Sequence, residues 1–88
     1  MVFCQIKLVQ HKHEYVMKFE REVIKFEEVL ECYNVSGDYD YFLKVVVKNM
    51  KAYHNFLNDK LTTLDHISSA YSTFIMNEVK NTMVLKIE

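Results

Sequence analysis

The sequence predicts an α+β fold in which two helices cover one face of a four-stranded antiparallel sheet. With 88 residues the chain has room for one domain, because two separate cores would each be too small to offset the loss of chain entropy. Strand and helix periodicities follow each other in the order strand, helix, strand, strand, helix, strand. The chain has no proline and one glycine, Gly37, which falls between the two middle strands. This order is the ferredoxin-like βαββαβ plan.

The first strand and the first helix are recognised by two different hydrophobic periods. Residues 3–9 alternate between apolar and polar side chains, with Cys4, Ile6 and Leu8 on one face, as expected of a strand. Residues 14–26 instead show the spacing of an amphipathic helix. Its apolar positions lie three, four and three residues apart: Val16, Phe19, Val23 and Phe26. We expect this stripe to face the core.

The middle of the chain has the composition of a β-hairpin. Residues 29–35 and 41–47 are both rich in β-branched and aromatic side chains. Their connection contains Gly37, which adopts positive φ without a steric penalty. It also contains Asp38 and Asp40, whose short side chains form the local hydrogen bonds typical of turns.

A second helix and a last strand complete the predicted fold. Asn49 is placed to cap the helix, which should end near Leu61. The apolar stripe assigned to this helix and its continuation consists of Met50, Tyr53, Leu57, Leu61 and Leu64. Residues 66–76 alternate as a strand, and residues 82–87 have the composition of a short extra strand.

The face of the sheet that the helices leave uncovered is expected to bind a second copy of the chain. In the second hairpin strand one face carries Tyr41, Leu43, Val45 and Val47. The opposite face carries Phe42 and Val46 beside two lysines. Because a partly apolar sheet face is stabilised when it packs against another surface, we predict a homodimer, that is, a dimeric α+β barrel.

Composition excludes several classes of partner. The formal charge of −1 provides no general positive field for a nucleic acid. No apolar run approaches the roughly twenty residues of a membrane span, and the first residues lack the features of a secretion signal. We therefore expect no direct nucleic-acid partner, no membrane partner and a cytoplasmic location. Cys4 and Cys32 lack metal-ligand spacing and are expected to be small buried hydrophobes.

The hairpin also carries a family resemblance. The sequence Val-Ser-Gly-Asp-Tyr-Asp-Tyr at residues 35–41 resembles the signature turn of the effector domain, or RAM domain, of Lrp/AsnC (feast/famine) transcription regulators. Residues 52–57 and 67–74 agree with the same family, and the resemblance covers nearly the whole chain. It implies a ligand-binding and oligomerisation domain over residues 1–88.

The resemblance implies an assembly and an effector. Family members form homodimers through their sheet faces and often assemble further, into an octamer of four dimers. Amino-acid effectors bind between dimers, beside the hairpin turn. Since this chain starts at the first strand, without the family's helix-turn-helix, we expect a stand-alone effector domain or part of a longer regulator. It would act without direct DNA binding, and a stand-alone copy would co-assemble with full-length relatives. No enzymatic activity, cofactor or metal is implied.

The chemistry of the turn suits an amino acid. A zwitterion needs a carboxylate for its ammonium group and hydrogen-bond donors for its own carboxylate. The acids of the turn supply the first, and the backbone N–H groups near Gly37 supply the second. Tyr39 and Tyr41 provide apolar walls, although a dimer contact is the favoured role of Tyr41. The predicted ligand-binding residues are Ser36, Gly37, Asp38, Tyr39, Asp40, Ser69 and Thr73.

Simpler interpretations remain open at this point. The acids of the turn could bond only their own backbone, and the domain could serve assembly alone. A small ferredoxin-like enzyme would need a base, for which His54 and His66 are the candidates. His11, His13 and Glu14 resemble a metal cluster, but no HExxH or paired CxxC spacing supports one.

Overall fold

The computed structural model describes residues 1–10 and 12–80 and has the predicted order of elements. The elements are β1 (Val2–Leu8), α1 (His13–Val23), β2 (Val29–Asn34), β3 (Tyr41–Val45), α2 (Met50–Asp59), a 3-10 turn (Leu61–Thr63) and β4 (Ile67–Phe74). The α+β, ferredoxin-like prediction is confirmed. The extra strand predicted for residues 82–87 lies outside the described residues.

The four strands form one sheet in the order β2-β3-β1-β4, and every neighbouring pair is antiparallel. β1 therefore lies between β3 and β4. Ile6 of β1 pairs with Tyr41 of β3, so the end of β1 lies beside the start of β3. This register brings the turn between β2 and β3 to the end of β1, which is the arrangement on which the candidate site depends.

The core occupies the sheet face covered by the helices. Alternate residues of the two central strands are buried there: Val2, Cys4, Ile6 and Leu8 in β1, and Tyr41, Leu43 and Val45 in β3. Both helices pack on this face. Phe19 of α1 lies with its ring centroid 4.6 Å from that of Tyr41. Each large side chain buried in this way stabilises the fold by roughly 1.5–3 kcal/mol.

The structure corrects the predicted role of Tyr41. Its side chain is 1% exposed within the single chain, so a dimer contact was the wrong assignment. The Tyr41 hydroxyl donates a 2.5 Å hydrogen bond to Glu20 of α1, which allows the phenol to be buried. Burial raises the pKa of Tyr41, and the hydrogen bond to Glu20 acts in the same direction. Tyr41 therefore joins the hairpin to α1.

The helix ends also differ from the predictions. α1 ends at Val23, three residues early, yet Phe26 still packs on the core from the following turn, edge-on to Phe56 at 5.8 Å. In α2 the buried residues are Tyr53 and Phe56, whereas Met50 is half exposed. The predicted stripe was wrong at Met50 because helical side chains lean towards the N-terminus. A side chain in the first turn therefore extends beyond the helix. Asn49 caps α2 as predicted.

An ion pair next to the core predicts a pH-dependent part of the stability. Lys60 donates to both carboxylate oxygens of Glu28 at 2.9 Å. This hydrogen bonding lowers the pKa of Glu28 from its ordinary value of 4.5. A carboxyl group whose pKa is lower in the folded state stabilises the fold above its ordinary pKa. That contribution is lost as the pH falls through the lowered pKa.

We therefore expect Glu28→Gln to decrease the free energy of unfolding by about 0.2–1 kcal/mol at neutral pH. This loss should disappear as the pH decreases well below about 4.5. Denaturant unfolding at a series of pH values measures it, with Glu27→Gln at the exposed neighbouring position as the control. An equal loss at neutral and acidic pH would contradict the role given to the ion pair.

Candidate functional site

The hairpin turn, residues 35–40, folds against the end of β1. Val35 N donates to Asp40 O at 2.9 Å and closes the turn. Asp40 N donates to Ile6 O at 2.8 Å, which extends the β1–β3 ladder into the turn. Gly37 has φ of +110°, in the region that favours glycine. The turn is therefore fixed at both of its ends to the sheet.

The two acids of the turn have different environments. The Asp40 carboxylate is half-buried and accepts a 2.7 Å hydrogen bond from Leu8 N, so it anchors the turn to β1. Asp38 is exposed, and its backbone carbonyl accepts a 3.1 Å hydrogen bond from Lys7 Nζ. The sequence suggested equal roles as ligand acceptors. The structure gives Asp40 an anchoring contact and leaves the carboxylate of Asp38 at the surface.

At the turn end of the uncovered sheet face, three strand residues lie beside Asp38 and Tyr39 of the turn. Tyr39 lies with its ring centroid 6.4 Å from that of Tyr71 in β4. Ser69 of β4 pairs directly with Lys7 of β1, two positions before Tyr71. We call Lys7, Asp38, Tyr39, Ser69 and Tyr71 the turn cluster. It combines an ammonium group, a carboxylate, a hydroxyl and two aromatic rings at one end of the sheet.

The structure separates the predicted site residues into two groups. Residues 36–40 and Ser69 lie at the turn. Thr73 pairs with Phe3, four residues along β4 from Ser69. At about 3.3 Å per residue this is roughly 13 Å away, so the structure does not bring Thr73 to the turn. Lys7 was missed, because in the sequence it is simply one of the polar residues of an alternating strand.

A small cleft lies on the helix side of the same turn. Its volume is about 200 Å³, and Leu8, Val16, Asn34, Val35, Asp40 and Tyr41 line it. The turn thus separates two surfaces, the turn cluster on the open face of the sheet and this cleft beside α1.

Neither cysteine has the environment of an activated nucleophile. Burial, followed by the negative charge of Glu20, raises the pKa of Cys32 to about 11, so its thiol stays protonated at neutral pH. Cys4 is fully buried, and burial raises its pKa as well. Both thiols are free. Cys4 is buried as predicted, whereas Cys32 is only partly buried and packs against the core.

The histidines proposed for an enzyme lie outside the turn cluster. His54 is exposed on α2. The ring of His66 stacks on Tyr15 with centroids 3.5 Å apart, in the loop before β4. His13 begins α1, and His11 falls outside the described residues. Among residues 1–10 and 12–80, no group of three or more His, Cys, Asp or Glu side chains is arranged to hold a metal ion.

The backbone of the turn predicts a measurable cost for a side chain at Gly37. A Cβ added there meets nothing within 4 Å, so the cost of Gly37→Ala arises from φ alone. We expect a loss of about 1–2 kcal/mol of folding free energy. Thermal or urea unfolding measures it, with Ser36→Ala in the same turn as the control. A Gly37→Ala protein as stable as the control would show that the turn does not need positive φ.

The chain matches a known domain family along nearly its whole length. The Lrp/AsnC ligand binding domain matches residues 1–85. The leucine-responsive regulatory protein of Escherichia coli is 38% identical over 88 residues, covering 98% of this chain and 54% of that protein. This chain therefore spans about half the length of the curated relatives that it matches. In the part of the chain that the structure describes, no helix is long and apolar enough to cross a membrane.

Solved structures share the fold. An AsnC family transcriptional regulator from Agrobacterium tumefaciens has a TM-score of 0.86 and 36% identity, covering 97% of this chain and 55% of that one. A transcriptional regulator from Neisseria meningitidis, solved in complex with L-methionine, has a TM-score of 0.88 and 28% identity, with the same coverage. The matched domain, the identity to relatives and the shared fold agree that this chain belongs to the Lrp/AsnC family of transcription regulators.

Proposed function

We propose that this chain is the amino-acid-sensing and oligomerisation module of a feast/famine-type transcription regulator, and that it does not contact DNA itself. The observation that carries the proposal is the rigidly held turn. Asp40 fixes the turn to β1, while the polar groups of Ser36, Gly37 and Asp38 are exposed. A preorganised turn of this kind binds a small ligand without first paying the entropy of ordering.

The effector is a free amino acid bound at the turn. The ligand contacts proposed are those of residues 36–40 and Ser69, with Thr73 joining only if an adjoining molecule extends the site along β4. The pair of rings formed by Tyr39 and Tyr71 suits an apolar or thioether side chain. In support, the Neisseria regulator that shares this fold was solved with L-methionine.

A homodimer through the open sheet face is part of the proposal. This face carries Phe3 and Phe42, stacked with ring centroids 5.0 Å apart, and the exposed ring of Tyr33. Phe3 and Phe42 are partly buried, and with Tyr33 they form one apolar patch of the kind that marks interaction surfaces. Four such dimers would form an octamer. The turn cluster, at one end of the open face, would lie at the edge of the dimer surface, where the hairpin turns of neighbouring dimers meet. Full-length relatives would join the same assembly, in the cytoplasm where the regulator acts.

Calorimetry tests the sensing function. The purified chain is titrated with each common amino acid at millimolar concentration, with the D-enantiomers as controls. We expect one amino acid or a few related ones to bind and to raise the unfolding temperature, because binding at 100 times Kd adds about 2.7 kcal/mol to stability. If no amino acid gives heat or stabilisation, the domain serves assembly alone and the sensing proposal is wrong.

A further inference from the structure

We propose that Lys7 binds the α-carboxylate of the effector and thereby makes the site selective for free amino acids over their amides and amines. The inference rests on the proposed sensing function and assigns a recognition role within that site. Lys7 is exposed on β1, between Ile6 and Leu8, whose backbone groups both hydrogen-bond Asp40. It therefore stands directly beneath the anchored turn.

The ammonium group of Lys7 retains capacity for an anion. Its Nζ donates to the backbone carbonyl of Asp38 at 3.1 Å, which uses one of three donors. Among the described residues Lys7 forms no ion pair, unlike Lys18, Lys25, Lys44 and Lys60. The position of the amine is thus fixed by a neutral acceptor, and its charge is left uncompensated.

If Lys7 had a purely structural role, it would contribute little to the stability of the turn. The turn is already held by the hydrogen bonds that Asp40 makes to Ile6 and Leu8. An exposed lysine-to-carbonyl hydrogen bond adds little to folding stability, because water competes for both groups. Lys7 adds a positive charge to the turn, which the hydrogen bonds to Ile6 and Leu8 do not provide.

The surrounding groups complete a site for a zwitterion. Ser69 pairs with Lys7 across the β1–β4 ladder and offers a hydroxyl donor on the same face of the sheet. Asp38, whose carbonyl fixes Lys7, carries an exposed carboxylate for the effector's ammonium group. Opposite charges on the protein thus match opposite charges on the ligand. An amide or a decarboxylated amine of the same side chain would leave Lys7 without its anion.

The test compares ligands and variants together. Isothermal titration of the full chain uses L-methionine and L-leucine, and the amide of each. We expect the wild-type protein to bind the acid of at least one pair more tightly than its amide by about tenfold or more. Lys7→Met should reduce this ratio to near one, whereas Lys7→Arg should retain most of it. Lys51→Met, at an exposed lysine of α2 on the covered side of the sheet, is the matched control and should keep the wild-type ratio.

Each outcome distinguishes the two levels of the proposal. If Lys7 only supports the turn, Lys7→Met weakens the acid and the amide equally, the ratio persists, and the inference is overturned while the sensing function stands. Equal binding of acid and amide by the wild-type protein overturns it without any variant. Failure of the wild-type protein to bind any amino acid in the full panel rejects the sensing function itself, and the role of Lys7 with it.

Discussion

Phe42→Lys is expected to convert the proposed dimer into monomers. Phe42 and Phe3 form the stacked aromatic pair of the open sheet face. Phe42 is already partly buried in the single chain, so a two-fold dimer gains part of the roughly 1.5–3 kcal/mol of a full phenylalanine burial, once for each protomer. The substitution removes that gain and places a charge in the interface, so the dissociation constant should rise by at least about a hundredfold.

Light scattering or sedimentation velocity measures the change in mass. Met17→Lys is the matched control, because Met17 is a hydrophobic residue 45% exposed on α1, which packs on the other face of the sheet. The control should keep the mass of the wild-type protein. A Phe42→Lys protein that folds and has the wild-type mass would contradict the assignment of the open face as the dimer surface.

Asp40→Ala is expected to affect both stability and effector binding. The substitution removes the acceptor of the 2.7 Å hydrogen bond from Leu8 N and leaves a partly buried donor unsatisfied. The expected cost is about 1–3 kcal/mol in the free energy of unfolding. Because the turn loses its side-chain anchor and keeps only its backbone hydrogen bonds, the response to amino acids should weaken as well. Asp40→Asn retains an acceptor oxygen and should lose less.

Asp38→Ala is the matched control for this prediction. Asp38 is exposed, so its substitution should change the free energy of unfolding by less than about 0.5 kcal/mol. It should nevertheless weaken amino-acid binding, since the carboxylate proposed to meet the effector's ammonium group is lost. Urea unfolding and calorimetry separate the two effects. Equal stability of the Asp40→Ala and wild-type proteins would show that the carboxylate of Asp40 does not anchor the turn.

The fold could be predicted because its signals are local. Alternation in β1, the spacing of Phe19 and Val23 in α1 and the turn at Gly37 each depend on neighbours in the sequence. The ends of the helices were harder to predict from the sequence. Phe26 keeps its helical spacing although α1 has already ended, since a turn after a helix can still direct a side chain into the core.

The division of roles within the site could not be predicted, because it depends on long-range pairing. Asp38 and Asp40 look equivalent in the sequence, whereas in the structure Asp40 is partly buried and accepts a hydrogen bond from Leu8 N. Lys7 belongs to no sequence motif, and its proposed role depends on the turn that folds over it. The sequence correctly placed Tyr41 on the same strand face as Leu43 and Val45. The contact between Tyr41 and Glu20 of α1 then shows that this face belongs to the core.

Mapping amide chemical shifts during an effector titration tests the central claim most directly. The ligand is the amino acid that binds in the calorimetric panel. The account predicts that the largest changes fall on Gly37, Asp38 and Tyr39 in the turn and on Ser69 and Tyr71 in β4. Changes concentrated at the opposite end of the sheet, around Met50 and Phe74, with an unaltered turn, would contradict it.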